Sequence, residues 1–434
     1  MTLSLLFAGK ETEMKQVTPE TNCLNRSLAY LSQFWQGNFA AFFHDLDEEE
    51  GHPIPKDTFA AQWGQLIQAF GPQQQVLHTS VVQENGFTSV EITTLHILRK
   101  LIITFLYTAD GAVRRCSFQM APLDVAPQTS ELWEEHAVQI GQLEKKLNGL
   151  LTLPKGEAKP PVVLLLQGSG PSNMNEQVGM GGNMPFADLA HGLAELGVAS
   201  LRYDKRSYAY PEDAAYAGVE VEYLDDAGEA VQSLRRDQRV DGDKIYLLGH
   251  SEGGMIGPEV LRRNPEIKGF ISLAGTLRRL EDLMLEQVKK ILADADTLSE
   301  EQKRTQREAM EQAVGQIKSL EGQEDASIIA GASVKYWRSL HRIAPPALVR
   351  QLDIPMLILQ GGEDFQVLAD VDYPLWQDAL SGNPNASFRL YPGLNHLFMT
   401  GGSKDHIDIS VYNTLGHVDK QVISEIAAWV KSNP

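Results

Sequence analysis

The sequence predicts an α/β fold, with a mostly parallel sheet carrying helices on both faces and a small α+β domain before it. From about residue 160, short apolar runs alternate with amphipathic segments, as in a parallel sheet wound with helices. The first 120 residues instead combine helical patterns with strands rich in Val, Ile, Thr and aromatic residues. At about 150 residues per domain, a chain of 434 residues leaves room for two or three domains and a sizeable core.

The small domain is placed at residues 20–125. Apolar side chains at three- and four-residue steps predict one amphipathic helix over 24–46. The same spacing predicts a second helix over 57–70, with Gly71 as its stop.

Four strands follow these helices and predict a β-meander. Their predicted ranges are 76–84, 87–95, 97–108 and 112–120. Asn85-Gly86 and Asp110-Gly111 separate strands, and such dipeptides favour tight hairpins because both residues tolerate positive φ. Pro122 and Pro127 then bracket a domain boundary.

The larger domain is placed at 130–434. Residues 131–149 fit either a helix or a two-stranded hairpin. Predicted strands follow at 161–167, 198–204, 244–250, 268–275, 355–361 and 387–391, and predicted helices at 186–196, 225–236 and 251–264. Residues 277–345 hold no convincing strand and are predicted to be a helical insertion, with Ser299 and Gln302 forming a capping box.

Composition excludes several classes of function. With 38 Lys and Arg against 57 Asp and Glu, the net charge of −19 repels nucleic acid and disfavours an anionic membrane surface. Cys23 and Cys116 cannot build a disulfide scaffold, and we interpret them as reduced thiols, with a single bridge as the alternative. No run approaches the roughly 18 apolar residues of a membrane span, and the apolar run over 3–8 is too short for a secretory signal. We therefore expect a cytoplasmic protein.

The strongest local motif is Gly249-His250-Ser251-Glu252-Gly253, which fits G-x-S-x-G between a predicted strand and a predicted helix. A nucleophilic serine needs a sharp turn of this kind, because the turn exposes its hydroxyl. Small residues on either side let the neighbouring backbone pass closely. The alternative interpretation is an ordinary glycine-rich turn.

A serine hydroxyl needs a base, and the base needs an orienting acid. In chain order the acid should follow a later strand and the histidine the last one, which selects Asp364 and His396. The competing residues are Glu363, Asp370 and Asp372 for the acid, and His250, His406 and His417 for the base. His250 is adjacent to the nucleophile in the chain, so packing suits it better than base catalysis.

The stretch Gln167-Gly168-Ser169-Gly170-Pro171 directly follows the strand at 161–167. Such a loop supplies one backbone N–H to an oxyanion hole, and the residue after the nucleophile supplies the other. The predicted donors are the backbone of Gly168, Ser169 and Glu252, with Gly170 as an alternative. A glycine-rich turn without a ligand is the competing interpretation.

A charged run after one strand and a set of methionines are weaker signals of function. Asp204-Lys205-Arg206 ends a strand and is predicted to be an ion-pair cluster that fixes loops, with substrate binding as the alternative. Six methionines suit either core filling or an adaptable acyl pocket; they are Met174, Met180, Met184, Met255, Met284 and Met399. No metal-site spacing is present in the sequence, so we expect no metal and no cofactor.

Residues from about 160 resemble the α/β-hydrolase superfamily. The strings LLQGSGPSN, GHSEGG, ILQGGED and YPGLNH are similar to those of EstD-like bacterial carboxylesterases. Residues 25–122 resemble an NTF2-like domain found ahead of such hydrolases, a curved sheet with helices in its concavity. Many relatives carry His at the position of Gln167, where the side chain orients the oxyanion loop.

The resemblance implies a hairpin over 131–153 and a triad of Ser251, Asp364 and His396. It implies a carboxylesterase acting on small short-chain esters, with the insertion as a lid. The alternatives are a serine peptidase, an acyltransferase or thioesterase on the same fold, or a non-catalytic binding module. NTF2-like sheets often pair, so a homodimer is a further expectation.

Overall fold

The computed structural model describes residues 18–46, 55–141 and 145–433. The chain divides into two compact units, the first ending at Ala121 and the second beginning at Pro122. The apolar run over 3–8 lies outside the described residues. Among the helices of the described ranges, none combines the length and the apolar character that crossing a membrane requires.

The first unit is a four-stranded antiparallel sheet, in the order β1-β2-β3-β4, with helices packed on it. Its elements are α1 (Pro19–Phe34), α2 (Ala40–His44), α3 (Lys56–Phe70), β1 (Gln75–Glu84), β2 (Phe87–Leu95), β3 (Lys100–Tyr107) and β4 (Val113–Ala121). The β1–β2 turn has positive φ at both Asn85 (52°) and Gly86 (80°), as the dipeptide predicts. Gly71 (φ 80°) follows the last residue of α3, also as predicted.

The single helix predicted over 24–46 is wrong. The chain leaves α1 after Phe34, turns through Gly37 at φ 71° and starts α2 at Ala40. A left-handed residue cannot continue a helix, and the Asn38 side chain caps the restart by accepting from Ala40 N at 3.1 Å. The helical spacing of apolar residues continues across the break because both helices face one core. In that core the Phe34 and Phe42 rings pack edge-on at 5.3 Å.

The second unit contains the larger sheet. The strands of this unit are β5 (Trp133–Ile140), β6 (Leu147–Pro154), β7 (Val162–Leu166), β8 (Ala199–Tyr203), β9 (Ile245–His250), β10 (Gly269–Leu273), β11 (Ile328–Ile329), β12 (Ala332–Ser333), β13 (Met356–Gly361) and β14 (Ala386–Tyr391). Its helices are α4 (Pro185–Glu195), α5 (Arg206–Ala209), α6 (Asp226–Arg236), α7 (Glu252–Arg263), α8 (Leu280–Ala293), α9 (Glu300–Lys318), α10 (Val334–His341), α11 (Pro345–Val349), α12 (Ala369–Ala379) and α13 (Lys420–Ser432). A π-helical turn, Glu220–Asp225, leads into α6.

The large sheet has eight strands in the order β14-β13-β10-β9-β7-β8-β6-β5. The six strands β8, β7, β9, β10, β13 and β14 pair in parallel, each with the next in this order. At the other end of the sheet, β6 pairs antiparallel with both β8 and β5. The sheet is therefore mostly parallel, as the sequence predicts. The ambiguity over 131–149 is therefore resolved as a hairpin, with Trp133 opposite Pro154.

The parallel strands are covered on both faces, as their continuous apolar runs predict. In β7, Val162, Leu164 and Leu166 belong to one core, whereas Val163 and Leu165 belong to the core on the other face. Because parallel strands end at a common edge, the loops after β7, β8, β9, β13 and β14 all start from one side of the sheet.

The insertion (residues 277–345) is mostly helical, and Ser299 and Gln302 form the predicted capping box. One expectation fails, because β11 and β12 form a short hairpin within it. Two-residue strands carry too little pattern to be seen in sequence, and this hairpin turns through Ala330 and Gly331, both at positive φ.

Candidate active site

Ser251 lies on a strained turn between β9 and α7, with φ 51° and ψ −117°. That conformation is strained for a residue with a side chain, so the surrounding packing must hold Ser251 in it. A Cβ on Gly249 would lie 2.3 Å from Gly253 O, and one on Gly253 would lie 2.4 Å from Leu166 O. The glycines of the motif are therefore required for the backbone to turn here, as the sequence argument supposed.

Asp364 and His396 meet after β13 and β14. His396 Nδ1 lies 2.7 Å from Asp364 Oδ2, and both side chains are buried. The other carboxylate oxygen accepts from the backbone N–H of Gln366 at 2.8 Å and of Val367 at 2.9 Å. A carboxylate only accepts, so the proton of this hydrogen bond belongs to Nδ1 and leaves Nε2 as the basic nitrogen.

His250, the chain neighbour of Ser251, packs against His396. No hydrogen bond joins the Ser251 hydroxyl to His396 among the described residues. The His250 ring, however, lies 4.7 Å from the His396 ring, and His250 Nε2 is 3.0 Å from the His396 carbonyl oxygen. Hydrogen bonds between catalytic side chains often tighten only when a substrate binds.

The competing acids and bases have other partners. Asp372 is buried and accepts from Thr276 and Arg278, while exposed Asp370 pairs with Lys404. Of the histidines, exposed His406 lies 3.8 Å from Asp294 and exposed His417 lies 3.0 Å from Asp188. Glu363 accepts from the backbone N–H of Lys404 at 3.3 Å. Asp364 is thus the acid that contacts His396.

The loop after β7 lies directly against Ser251, since a Cβ on Gly168 would be 3.1 Å from Ser251 Cβ. Gly168 itself is not available as an oxyanion donor, because its N–H donates to Glu176 Oε1 at 2.6 Å. We correct the predicted donor set accordingly. The N–H groups of Ser169 and Glu252 donate to no acceptor within the described ranges, so both stay candidates.

The buried His250 ring lies between two hydrogen-bond acceptors, an arrangement that favours its protonated form. Its Nδ1 lies 2.9 Å from Glu176 Oε1 and its Nε2 faces the His396 carbonyl oxygen, so both nitrogens face acceptors and both need a proton. Burial alone would lower the pKa of His250, but the Glu176 charge and hydrogen bond outweigh it and raise that pKa above 6.5. Sequence reasoning missed Glu176, which no motif marks.

The side chain of Glu252 lies in a buried polar cluster. Its Oε1 accepts from Tyr336 Oη at 2.7 Å, and its Oε2 lies 3.1 Å from Tyr223 Oη. Burial raises the pKa of the Glu252 carboxyl, although the nearby Lys205 charge opposes this. Neither tyrosine was a candidate, because single tyrosines far apart in the chain give no sequence signal.

The Asp204-Lys205-Arg206 run fixes loops, as predicted. Asp204 accepts from Met174 N at 2.8 Å, and Arg206 forms a two-pronged pair with Asp226 at 2.5 and 3.0 Å. Lys205 Nζ donates to Gly168 O at 2.9 Å. The side chain of Gln167 donates to the Tyr203 carbonyl oxygen, which ties the start of the loop to β8.

A cavity of about 550 Å³ lies between α7 and the insertion. Met255, one turn beyond Ser251, lines it together with apolar residues such as Leu277 and Leu340 and charged ones such as Arg279 and Glu281. Of the other methionines, Met174 and Met399 are buried in the core, and Met184 is exposed. Core filling explains the first two, and Met255 is also buried in the core while bordering this cavity.

Comparison with known proteins places the chain among hydrolases. A family model described as serine aminopeptidase, S33, matches residues 181–401, a range that includes Ser251, Asp364 and His396. The chain is 36% identical over 287 residues to esterase EstD of Thermotoga maritima. That alignment covers 65% of this chain and 65% of the relative's length.

Two of the solved structures that match the chain are esterases. Est1E from Butyrivibrio proteoclasticus is 19% identical, with a TM-score of 0.41, and the match covers 68% of this chain and 99% of that one. An esterase of Pyrococcus furiosus is 15% identical, with a TM-score of 0.44, and the match covers 72% of this chain and 97% of that one.

Proposed function

Because the chain belongs to the serine aminopeptidase, S33, family of α/β-hydrolases, we propose that it is a serine carboxylesterase that hydrolyses small carboxylic esters. The observation that carries the proposal is the 2.7 Å contact between His396 Nδ1 and buried Asp364, at the sheet edge where Ser251 sits on its strained turn. The similarity to esterase EstD supports ester rather than amide chemistry.

The mechanism follows from these groups. Ser251 Oγ attacks the ester carbonyl while His396 Nε2 takes its proton, and Asp364 holds the resulting imidazolium. The N–H groups of Ser169 and Glu252 stabilise the tetrahedral oxyanion. His396 then returns the proton to the leaving alcohol, which departs. A water molecule attacks the acyl-enzyme with the same base, releasing the acid and restoring Ser251.

Substrate size is proposed from the insertion. Most residues that line the cavity beside Met255 belong to the insertion, and most are apolar, so we assign the cavity as space for a short acyl or alcohol group. In this proposal the insertion, residues 277–345, acts as a lid of the catalytic domain, residues 130–434. The role of the N-terminal domain, residues 20–125, its NTF2-like character and pairing into a homodimer stay predictions, as does the cytoplasmic location.

A second candidate is an aminopeptidase, which the description of the matching family favours. The same triad cleaves amides when a pocket binds the substrate amine, so the site geometry serves both reactions. An acyltransferase would pass the acyl group to an acceptor other than water, and a thioesterase would release a thiol instead of an alcohol.

The test is a series of p-nitrophenyl esters from acetate to decanoate, alongside amino-acid p-nitroanilides. We expect turnover of the short esters, no cleavage of the anilides, and a loss of at least about 10³-fold in kcat for Ser251→Ala. Ser424→Ala is the matched control, because that exposed hydroxyl donates only to the carbonyl of Gln421 in its own helix. Equal activity in Ser251→Ala and wild type, or faster anilide cleavage, contradicts the proposal.

A further inference from the structure

The peptide group between Gly168 and Ser169 is held from behind. Its carbonyl oxygen accepts from Lys205 Nζ at 2.9 Å and from Tyr223 Oη at 2.7 Å. Both donors are buried, Lys205 at 3% and Tyr223 at 1% exposure. Since a trans peptide is planar, its C=O and N–H point in opposite directions, and fixing the oxygen fixes the direction of the Ser169 N–H.

The lysine also acts on the strength of that N–H. An ammonium bound to a carbonyl oxygen draws electron density from the amide nitrogen, so the N–H on the other side becomes a better donor. Burial keeps this effect from being screened by water. Lys205 is itself fixed: its backbone N–H donates to Ser172 O at 3.1 Å, and Glu222 lies 3.6 Å from its ammonium.

Tyr223 also reaches the second donor segment. Its hydroxyl lies 2.7 Å from Gly168 O and 3.1 Å from the side chain of Glu252, so one oxygen bridges the two stretches of chain that carry the oxyanion donors. The hydroxyl has one proton, and the shorter distance assigns that proton to Gly168 O. The same hydroxyl accepts from Lys205 Nζ at 2.7 Å, so the lysine and the tyrosine hold the Gly168 carbonyl as one hydrogen-bonded group beside Glu252.

We propose that Lys205 and Tyr223 are positioning residues that aim and polarise the Ser169 N–H of the oxyanion hole. The proposal rests on the esterase function above. Neither side chain contacts the reacting atoms. Their effect reaches the transition state only through the Gly168–Ser169 peptide, so it appears in kcat rather than in ground-state binding.

The kinetic test compares Lys205→Met and Tyr223→Phe with wild type on p-nitrophenyl acetate. Removing an oxyanion donor outright costs about 10²–10³ in kcat, so misaiming one should cost about 10- to 100-fold, with KM nearly unchanged. Tyr203→Phe is the matched control, because its hydroxyl is equally buried and has no hydrogen-bond partner among the described residues. Tyr223→Phe keeps the test valid if Lys205→Met fails to fold.

A spectroscopic readout separates this inference from the esterase function. Gly–Ser occurs at two places in the sequence, 168–169 and 402–403, so protein with ¹³C-carbonyl glycine and ¹⁵N-serine gives two carbonyl–amide correlations. In both variants we expect the 168–169 signal to move to lower frequency in ¹³C and ¹⁵N, as a carbonyl that loses donors does. The 402–403 signal should stay.

The outcomes are distinct. A moved 168–169 signal with kcat reduced and KM kept supports the proposal. Active wild type with unchanged kcat in both variants overturns it and leaves the esterase function intact. Wild type without hydrolytic activity overturns the esterase function and this proposal together, whatever the spectra show. A fall in kcat without movement of the 168–169 signal overturns the assigned route through the peptide.

Discussion

Asp364→Asn is the sharpest probe of the triad, because the structure shows that the amide cannot satisfy every partner. One oxygen of Asp364 accepts from the N–H groups of Gln366 and Val367, and the other from His396 and the side chain of Gln360. All four partners donate. Asparagine offers one acceptor oxygen, and its NH₂ group must therefore face donors on one side.

The two backbone donors cannot move, so we expect the asparagine oxygen to stay with them and its NH₂ to face His396 Nδ1. The imidazole then responds by placing its proton on Nε2, where it can no longer accept the proton of Ser251. In a serine triad, this wrong tautomer costs about 10⁴ in kcat, which corresponds to about 5.4 kcal/mol of transition-state stabilisation.

The assay is kcat for p-nitrophenyl acetate, with thermal unfolding to confirm that the variant is folded and ¹⁵N shifts of His396 to report the tautomer. Asp370→Asn is the matched control, since that carboxylate is 73% exposed at its side chain and pairs with Lys404 instead of a histidine. A folded Asp364→Asn protein that keeps kcat within about 10-fold of wild type would refute the assignment of Asp364.

Two further predictions concern charge and backbone. The raised pKa of His250, which faces Glu176, His396 and Asp364, gives stability that is complete below pH 6.5 and lost as pH rises through the folded value. Urea unfolding from pH 6 to 9 should show that loss of unfolding free energy in wild type. If the unfolding free energy of Glu176→Gln fell with pH as steeply as that of wild type, the prediction would be contradicted. Gly253→Ala places a Cβ 2.4 Å from Leu166 O and should cost about 3 kcal/mol or more of unfolding free energy. Gly315→Ala, in α9 with nothing within 4 Å, should gain about 0.5–1 kcal/mol, and equal effects would count against the packing argument.

The parallel sheet was predictable because each strand is a short apolar run bounded by turn residues. Strand positions from β7 to β14 lie within a residue or two of the sequence ranges, apart from the β11–β12 hairpin. The helix break at Gly37 was not predictable from periodicity, since residues on both sides face the same core. The terminal helix α13 was not predicted, although its apolar face packs on the core with Val422 and Ile426 buried.

The candidate triad followed from chain order and strand ends, which are local signals. The supporting residues did not, because their roles come from side chains that meet across long separations. Glu176 and His250 are 74 positions apart, and Tyr336 and Glu252 are 84 apart. Nothing in the sequence near Tyr223 or Tyr336 distinguishes them from core tyrosines. A buried hydroxyl needs a hydrogen-bond partner, and the partners here are Gly168 O for Tyr223 and the Glu252 side chain for Tyr336.

The buried charges around Ser251 have a physical explanation in the loops that they hold. A loop at a sheet edge has few apolar contacts, so backbone groups there must be held by hydrogen bonds. Gly168 is held at both ends, its N–H by Glu176 and its C=O by Lys205 and Tyr223. Charged partners make stronger hydrogen bonds than neutral ones, and burial increases the difference. A site that must present an N–H to a developing negative charge without rearranging therefore gains from ions behind the peptide, despite the cost of burying them.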